Sequence, residues 1–240
     1  MKVEVCANSV QSAINAQKAG ADSIELCVEL AVGGITPSYG LLKKVMEVID
    51  SPVRVLIRLR SGHFRYSNNE FESMKEDILL CKKLGCAGIV SGVLNEDNSI
   101  DIKRTKELVE LSKPLSFTFH RAFDWIPNPI EALEELQTIG VTKILTSGQE
   151  NSAEKGLPLL TQLLKKVRGK LTILPGGGIS IPNVLQFKEV GFEEVHCSAT
   201  TLHTQITPPK VAMNSSRFFD ETQLAVSDLE KIKMIVHLVK

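Results

Sequence analysis

Short apolar segments alternate with amphipathic segments along the chain. The apolar segments are four to eight residues long and rich in Val, Ile, Leu and Phe, which predicts buried β-strands. The segments between them repeat apolar residues three or four positions apart, which predicts helices with one buried face. The predicted strands cover residues 2–6, 23–27, 53–60, 87–91, 115–120, 143–147, 171–174 and 194–198. The predicted helices cover residues 9–19, 38–49, 70–84, 102–111, 129–138, 154–167, 182–190 and 228–238.

Eight successive β/α pairs point to one fold class. Regular alternation of strand and helix predicts a parallel sheet with helical crossovers. Eight units in 240 residues predict a closed (β/α)8 TIM barrel, an α/β fold, rather than an open sheet. No change in composition marks a linker, so we expect one domain over residues 1–240.

An extended loop, residues 199–226, separates the last predicted strand from the last helix. Pro208-Pro209 and Phe218-Phe219 lie within it. A connection of this length is either a functional arm or a decorated surface loop. The helix that follows is expected to begin with a capping box of Ser227 and Glu230.

The alternation of side chains places ionisable groups inside the predicted barrel. Val3 and Val5 share one face of the first strand, so Glu4 and Cys6 share the other. Barrel interiors are normally filled by Val, Ile and Leu, so charged groups there need an explanation. The same period of two directs these side chains inward: Glu4, Cys6, Glu25, Cys27, Arg58, Arg60, His120, Glu194 and His196.

The interior charges have two interpretations. Paired acids and bases would form a buried network that only fixes strand register. Alternatively, ionisable groups at the carboxyl ends of barrel strands form a site. The strand-end positions are therefore the stronger site candidates, and they are Cys6, Cys27, Arg60, His120, Arg121, Ser147 and Ser198.

Composition narrows the class of partner. The chain has 28 basic and 28 acidic residues, so its net charge is zero, and no basic cluster favours nucleic acid. No apolar run approaches the roughly 18 residues of a membrane span. Five cysteines without paired spacing suit free thiols in a reducing compartment, so we expect a cytoplasmic protein.

Three glycines follow the seventh predicted strand. Gly176, Gly177 and Gly178 let the backbone approach a ligand closely and leave N–H groups for an anion. Phosphate sites in barrels often form after strands 7 and 8. Ser198 ends strand 8, and Ser147 ends strand 6 beside the same pocket. These five residues are expected to form an anion or phosphate cradle, with a simple tight turn as the alternative.

The ends of two other strands carry candidate catalytic groups. His120, Arg121 and Asp124 offer a proton-transfer group, an anion clamp and an orienting carboxylate. Arg58 and Arg60 have the fork geometry that binds carboxylate or phosphate. With the inward Glu25 and His196, the candidate catalytic set is Glu25, Arg58, Arg60, His120, Arg121, Asp124 and His196.

Two cysteines end adjacent strands at equivalent positions. Neighbouring strands lie about 4.8 Å apart, so the thiols of Cys6 and Cys27 are expected to meet. Two soft thiolates suit Cu(I) better than a hard cation such as Mg²⁺. A metal held by this pair would therefore be a soft one such as Cu(I), and two small core residues are the other interpretation of the spacing.

Several longer motifs resemble the CutC family of copper homeostasis proteins. The similarity runs colinearly over about residues 1–200, and its motifs are Val5-Cys6, Gly20-Ala21-Asp22, Ile24–Cys27, Gly33–Ser38, Phe119–Asp124, Leu145–Gly148, Pro175–Gly178 and Glu194–Ser198. The resemblance implies a cytoplasmic (β/α)8 barrel that forms a homodimer and binds copper, with the family's thiols falling on Cys6 and Cys27. The family's Arg-Pro-Arg-Gly-Gly-Asp-Phe segment departs here at Leu59, Ser61 and His63, which alters the expected shape of that loop.

Two functions therefore stay open at this point. One is copper handling through Cu(I) bound at the strand-end thiols. The other is a barrel enzyme of unassigned reaction that acts on a small anionic or phosphorylated metabolite. A barrel that serves only as a binding scaffold is a third interpretation.

Overall fold

Eight parallel strands form the centre of the fold. The computed structural model describes residues 1–169, 171–204, 207, 210, 211, 213 and 220–240. The strands are β1 Lys2–Ala7, β2 Ser23–Leu26, β3 Val53–Leu56, β4 Gly88–Ser91, β5 Ser116–Phe119, β6 Lys143–Thr146, β7 Thr172–Pro175 and β8 Glu194–Cys197. Their order in the sheet is β7-β6-β5-β4-β3-β2-β1-β8.

A helix follows each strand of this sheet along the chain. The helices are α1 Val10–Lys18, α2 Tyr39–Val48, α3 Asn68–Lys83, α4 Ile102–Ser112, α5 Pro129–Thr138, α6 Leu157–Lys166, α7 Val184–Val190 and α8 Leu229–Val239. Short 3-10 segments at Leu30–Val32 and Arg121–Trp125 follow β2 and β5. Within the described residues, no helix is both long and apolar enough to cross a bilayer.

The sheet curls into a nearly closed barrel. Strand β1 pairs with β2 on one side and with β8 on the other, where Val3 lies opposite Val195. Strands β7 and β8 meet only at an isolated parallel bridge between Gly176 and His196. This arrangement confirms the predicted (β/α)8 barrel.

The main core lies between the sheet and its helices. Phe117 and Phe119 of β5 are almost fully buried there, as are Leu133 of α5 and Phe187 of α7. They alternate with residues that point into the barrel, as the period of two requires. Burial of each such side chain stabilises the fold by about 1.5–3 kcal/mol, so this layer holds the strand ends in place.

Helix α8 begins differently from the prediction. Asp228 is its N-cap, and the Asp228 carboxylate accepts hydrogen bonds from the N–H groups of Glu230 and Lys231. The predicted cap, Ser227, is fully buried instead and donates its hydroxyl proton to the Cys6 carbonyl oxygen at 3.1 Å. Asp is as good an N-cap as Ser, so the helix shifts by one residue and frees Ser227 to hold the end of β1.

The extended loop predicted over residues 199–226 has secondary structure at both ends. Strand β9 Thr200–Thr204 pairs antiparallel with β10 Gln223–Ser227. Pro208-Pro209 and Phe218-Phe219 lie outside the described residues. The hairpin leads directly into α8, so the connection is anchored on the barrel.

Strand β3 is shorter than predicted. It ends at Leu56 rather than at residue 60, although the Ile57 N–H still donates to the Val90 carbonyl oxygen. The Arg58 N–H then donates to the Thr36 side chain instead of to a strand. Beyond this point the alternation of faces no longer fixes where side chains point.

Candidate functional site

A cavity of about 390 Å³ opens at the carboxyl end of the barrel. Its walls come from the ends of β1, β2, β3, β6 and β8 and from the loops after β2, β3, β5, β7 and β8. Thiol and carboxyl groups line one wall, and arginine, histidine and glycine line the other. This is the face of a barrel on which sites form.

Two thiols meet at the first wall. The Cys6 and Cys27 sulfur atoms lie 3.2 Å apart, as the strand positions predict. The hydrogen bond with Cys27, together with burial, raises the pKa of the Cys6 thiol well above its ordinary value. Of this pair, Cys6 lines the cavity, whereas Cys27 is fully buried behind it and backed by the loop at Gly34.

Glu25 and His196 complete this wall. One ligand atom from each of Cys6, Glu25 and His196 falls within 4.8 Å of the other two. Burial raises the pKa of the Glu25 carboxyl to about 7. Its Oε2 atom is buried and has no hydrogen-bond partner among the described residues. This cluster of Cys6, Glu25 and His196 therefore offers a soft thiol, an imidazole and a carboxyl group, and one oxygen of that carboxyl lacks a hydrogen-bond partner among the described residues.

A charged layer supports this wall from below. Glu4 is fully buried, and its carboxylate accepts hydrogen bonds from Arg54 at 2.7 Å and Ser23 at 3.0 Å. Burial alone would raise the pKa of Glu4, but the His196 hydrogen bond and the Arg54 charge lower it to about 2. Burial lowers the pKa of His196, but Glu25 and Glu4 outweigh it and the net shift is upward.

His120 on the opposite wall is neutral. Burial, reinforced by the Arg58 charge, lowers the pKa of His120 to about 3. Its Nδ1 atom accepts a hydrogen bond from the Ala122 N–H at 3.2 Å, so the ring proton belongs on Nε2. The Nε2 atom has no partner in the described part of the chain. His120 is therefore a hydrogen-bond donor near neutral pH rather than a proton acceptor, and Asp124 does not orient it.

Arg58 and Arg60, both predicted to point into the barrel, point in different directions in the structure. Arg58 is buried and lines the cavity, and its guanidinium donates to the carbonyl oxygens of Val32, Gly34 and Gly62. Arg60 turns outward and its Nε donates to Glu70 at 2.5 Å. Arg60 therefore lies outside the cavity.

The position of Arg60 explains the shape of the loop that contains Leu59, Ser61 and His63, where the sequence departs from the family motif. The Arg60 guanidinium donates to the carbonyl oxygens of His63 and Arg65, which closes the loop on itself. His63 is exposed, and its Nδ1 accepts from the Arg65 N–H. These contacts hold the loop from outside, so Leu59, Ser61 and His63 act on its shape rather than on the cavity.

Arg121 is fixed in place at the mouth of the cavity. Its Nε donates to Asp124 at 2.8 Å and its Nη2 to Ser147 at 2.9 Å. Asp124 also accepts from the Ser147 and Gln149 N–H groups. A Cβ atom on Gly177 would lie 3.3 Å from Nη1 of Arg121, so this glycine makes room for the guanidinium.

The predicted cradle is only partly assembled. Gly177, Gly178 and Ser198 line the cavity. Gly176 is buried beneath them, and its N–H donates to the Thr146 carbonyl oxygen. Ser147 is buried and holds Arg121 rather than facing the cavity. The roles assigned to these residues from the sequence stay predictions.

Two aromatic residues at the rim and two basic residues in the lower barrel were not predicted from the sequence. Phe64 and Trp125 form an aromatic contact at the rim, with ring centroids 4.9 Å apart, and no periodicity indicates it. Arg54 and Lys143 point into the lower barrel, where Lys143 pairs with Glu194. Arg54 and Lys143 could have been predicted by alternation, because each lies two positions before an inward residue of its strand, Leu56 and Leu145 respectively.

Comparison with known proteins identifies relatives over nearly the whole chain. The family model described as the CutC family matches residues 1–201. A human protein named copper homeostasis protein cutC homolog is 43% identical over 242 residues, covering 99% of this chain and 89% of the relative. A Proteus mirabilis protein named family protein CutC is 46% identical over 198 residues, covering 82% of this chain and 79% of the relative.

Solved structures agree with the fold. The crystal structure of the CutC protein from Streptococcus agalactiae has a TM-score of 0.78 and 32% identity, covering 82% of this chain and 98% of that one. The thiamine phosphate pyrophosphorylase of Pyrococcus furiosus has a TM-score of 0.62, covering 99% of this chain and 95% of that one. At 14% identity, that second similarity bears on the fold alone.

Proposed function

Because the chain belongs to the CutC family, we propose that it acts in copper homeostasis by binding Cu(I) at the thiol wall of the cavity. The proposal is supported above all by the Cys6 and Cys27 sulfur atoms, which lie 3.2 Å apart. His196 offers a third donor beside Cys6. Thiolate and imidazole are ligands that Cu(I) accepts, whereas hard cations prefer sets of oxygens.

The two thiols have different parts in this proposal. Cys6 lines the cavity, so an ion arriving from solvent meets it first. Cys27 is fully buried behind Cys6 and serves as the second sulfur. The neighbouring Glu25 carboxyl is a harder ligand, so we assign it to the surroundings of the ion rather than to its bonds. Copper is the cargo in this proposal, and no reaction is assigned to it.

A competition titration tests the proposal. A chromophoric Cu(I) chelator competes with wild type, Cys6→Ser, Cys27→Ser and the double variant under reducing conditions. Each single variant is expected to lose at least tenfold in Cu(I) affinity, because a hydroxyl replaces a soft ligand. The matched control is Cys81→Ser/Cys86→Ser, which alters a second pair of hydrogen-bonded buried thiols away from the cavity.

The outcomes separate clearly. If the double variant binds Cu(I) as tightly as wild type, the thiol wall is not the copper site. If only Cys6→Ser loses affinity, the ion is held from the cavity without Cys27. The homodimer and the cytoplasmic location expected from the family stay predictions, and sedimentation and fractionation test them.

A further inference from the structure

The cavity is far larger than a metal ion requires. Its volume is about 390 Å³, whereas a single water-sized occupant needs about 10–15 Å³ by a comparable measure. The volume falls in the range of small-molecule sites, about 300–1,000 Å³. The thiol wall accounts for one side of this space, and the opposite wall has its own chemistry.

Arg58 is a buried cation that has no carboxylate partner in the described part of the chain. The Arg58 residue as a whole has an exposed fraction of 7%. Its guanidinium donates hydrogen bonds to three carbonyl oxygens, and it forms no ion pair within the described residues. Its Nε atom has no acceptor there either. Buried charges are normally paired, and the cavity is the open space beside Arg58 in which a negative charge would complete such a pair.

His120 supplies a second donor without an acceptor. Its Nε2 carries the ring proton because Nδ1 accepts from Ala122. Both His120 and Arg58 line the cavity and pack against Phe64, whose ring centroid lies 4.8 Å from the imidazole and 5.1 Å from the guanidinium carbon. Arg58 and His120 thus each bring a donor with unfilled bonding capacity to the lining of one cavity.

Arg121 extends this donor surface to the mouth of the cavity. Asp124 and Ser147 hold its Nε and Nη2 atoms, and Nη1 has no hydrogen-bond acceptor among the described residues. The Gly178 and Ile179 N–H groups beside it likewise have none in that part of the chain. Guanidinium and backbone N–H groups together are typical of sites for carboxylate and phosphate.

We propose that this wall binds a small organic oxyanion, a carboxylate or a phosphate, between Arg58 and His120 inside and Arg121 at the mouth. The site is independent of the copper proposal, because it uses none of the thiols. The neutral His120 acts in it as a donor to an oxygen atom. Arg60, although predicted from the same motif, has no part in it because it faces Glu70.

Thermal denaturation and calorimetry with three named probes test this proposal. Oxalate, inorganic phosphate and 2-phosphoglycolate distinguish a carboxylate site, a phosphate site and one that takes both groups. At ten times its dissociation constant, the preferred probe is expected to raise the melting temperature by about 3 °C. Potassium chloride at equal ionic strength controls for charge screening.

Substitutions of the proposed ligands test whether the probe binds at this wall of the cavity. Arg121→Gln and His120→Gln are expected to weaken the preferred probe at least tenfold. Arg58→Gln should do the same, but Arg58 also holds three loop carbonyls, so the other two variants carry the test if it fails to fold. Arg60→Gln is the matched arginine control and should bind as wild type does.

Two results would overturn the proposal. One is a wild type that no probe stabilises beyond the chloride control. The other is a loss of binding in Arg60→Gln equal to that in Arg121→Gln, which would indicate a general charge effect. Chelator competition reports on copper binding and calorimetry reports on anion binding, so failure of the copper proposal and failure of this one can be told apart.

Discussion

The buried, neutral state of His120 makes a quantitative prediction about stability and pH. The pKa of His120 is about 3 in the folded protein, against an ordinary value of 6.5. Between these values the unfolded chain takes up a proton that the folded chain does not, so His120 destabilises the fold as pH falls below about 6.5. The two pKa values give a loss of about 2 kcal/mol at pH 5 relative to pH 8.

The wild-type protein alone does not isolate this contribution. The pKa of Glu25 is raised to about 7, and the pKa of His196 is also raised. Those groups bind more protons in the folded state, so their contribution to stability grows as pH falls and opposes that of His120. The comparison therefore needs a variant that removes only the His120 titration.

Urea denaturation of wild type and His120→Gln at pH 8, 7, 6 and 5 supplies that comparison. The variant loses packing against Phe64 by the same amount at every pH. The advantage of wild type over the variant should therefore shrink by about 2 kcal/mol between pH 8 and pH 5. His237→Gln, which changes an exposed histidine of α8, is the control. A wild-type advantage that stays constant with pH would refute the argument.

Two further predictions concern packing and buried charge. A Cβ atom on Gly156 would overlap the Ser147 carbonyl oxygen, so Gly156→Ala should lower the unfolding free energy by about 3 kcal/mol or more. The control is Gly40→Ala, which has open space around the added methyl group and should not lower it. Equal urea midpoints for the two variants would contradict this prediction. Arg54→Met leaves Glu4 buried with less positive charge beside it, so it should lower the unfolding free energy by about 3–5 kcal/mol. Adding Glu4→Gln to the same chain should restore part of that unfolding free energy, as measured by calorimetry. No recovery would mean that the pair is not coupled.

The sequence predicts this molecule well wherever a strand continues. Alternation places Glu4, Cys6 and Glu25 inside the barrel because the period of two holds through β1 and β2. It misplaces Arg60 because β3 ends four residues earlier, and beyond a strand the side chain follows its partners. Those partners, above all Glu70 on α3, become neighbours only once the loop has folded.

The difference between the two thiols could not be predicted either. Alternation treats Cys6 and Cys27 alike, since both fall at the ends of adjacent predicted strands, although in the structure Cys6 lies opposite Glu25 and Cys27 follows the last residue of β2. What separates them is the loop after β2, which folds back through a bridge between Val28 and Ile35 and packs Gly34 against Cys27. Packing of this kind depends on tertiary contacts that no local pattern records.

The junction between β7 and β8 has the sparsest backbone pairing of any neighbouring strands in the described barrel. Elsewhere each neighbouring pair of strands is joined by two to four aligned residues, whereas this pair is joined by the single bridge of Gly176 and His196. The glycine loop and His196 therefore sit on the edge that needs the fewest broken backbone bonds to part. Amide hydrogens along this edge should therefore exchange faster than those of β1.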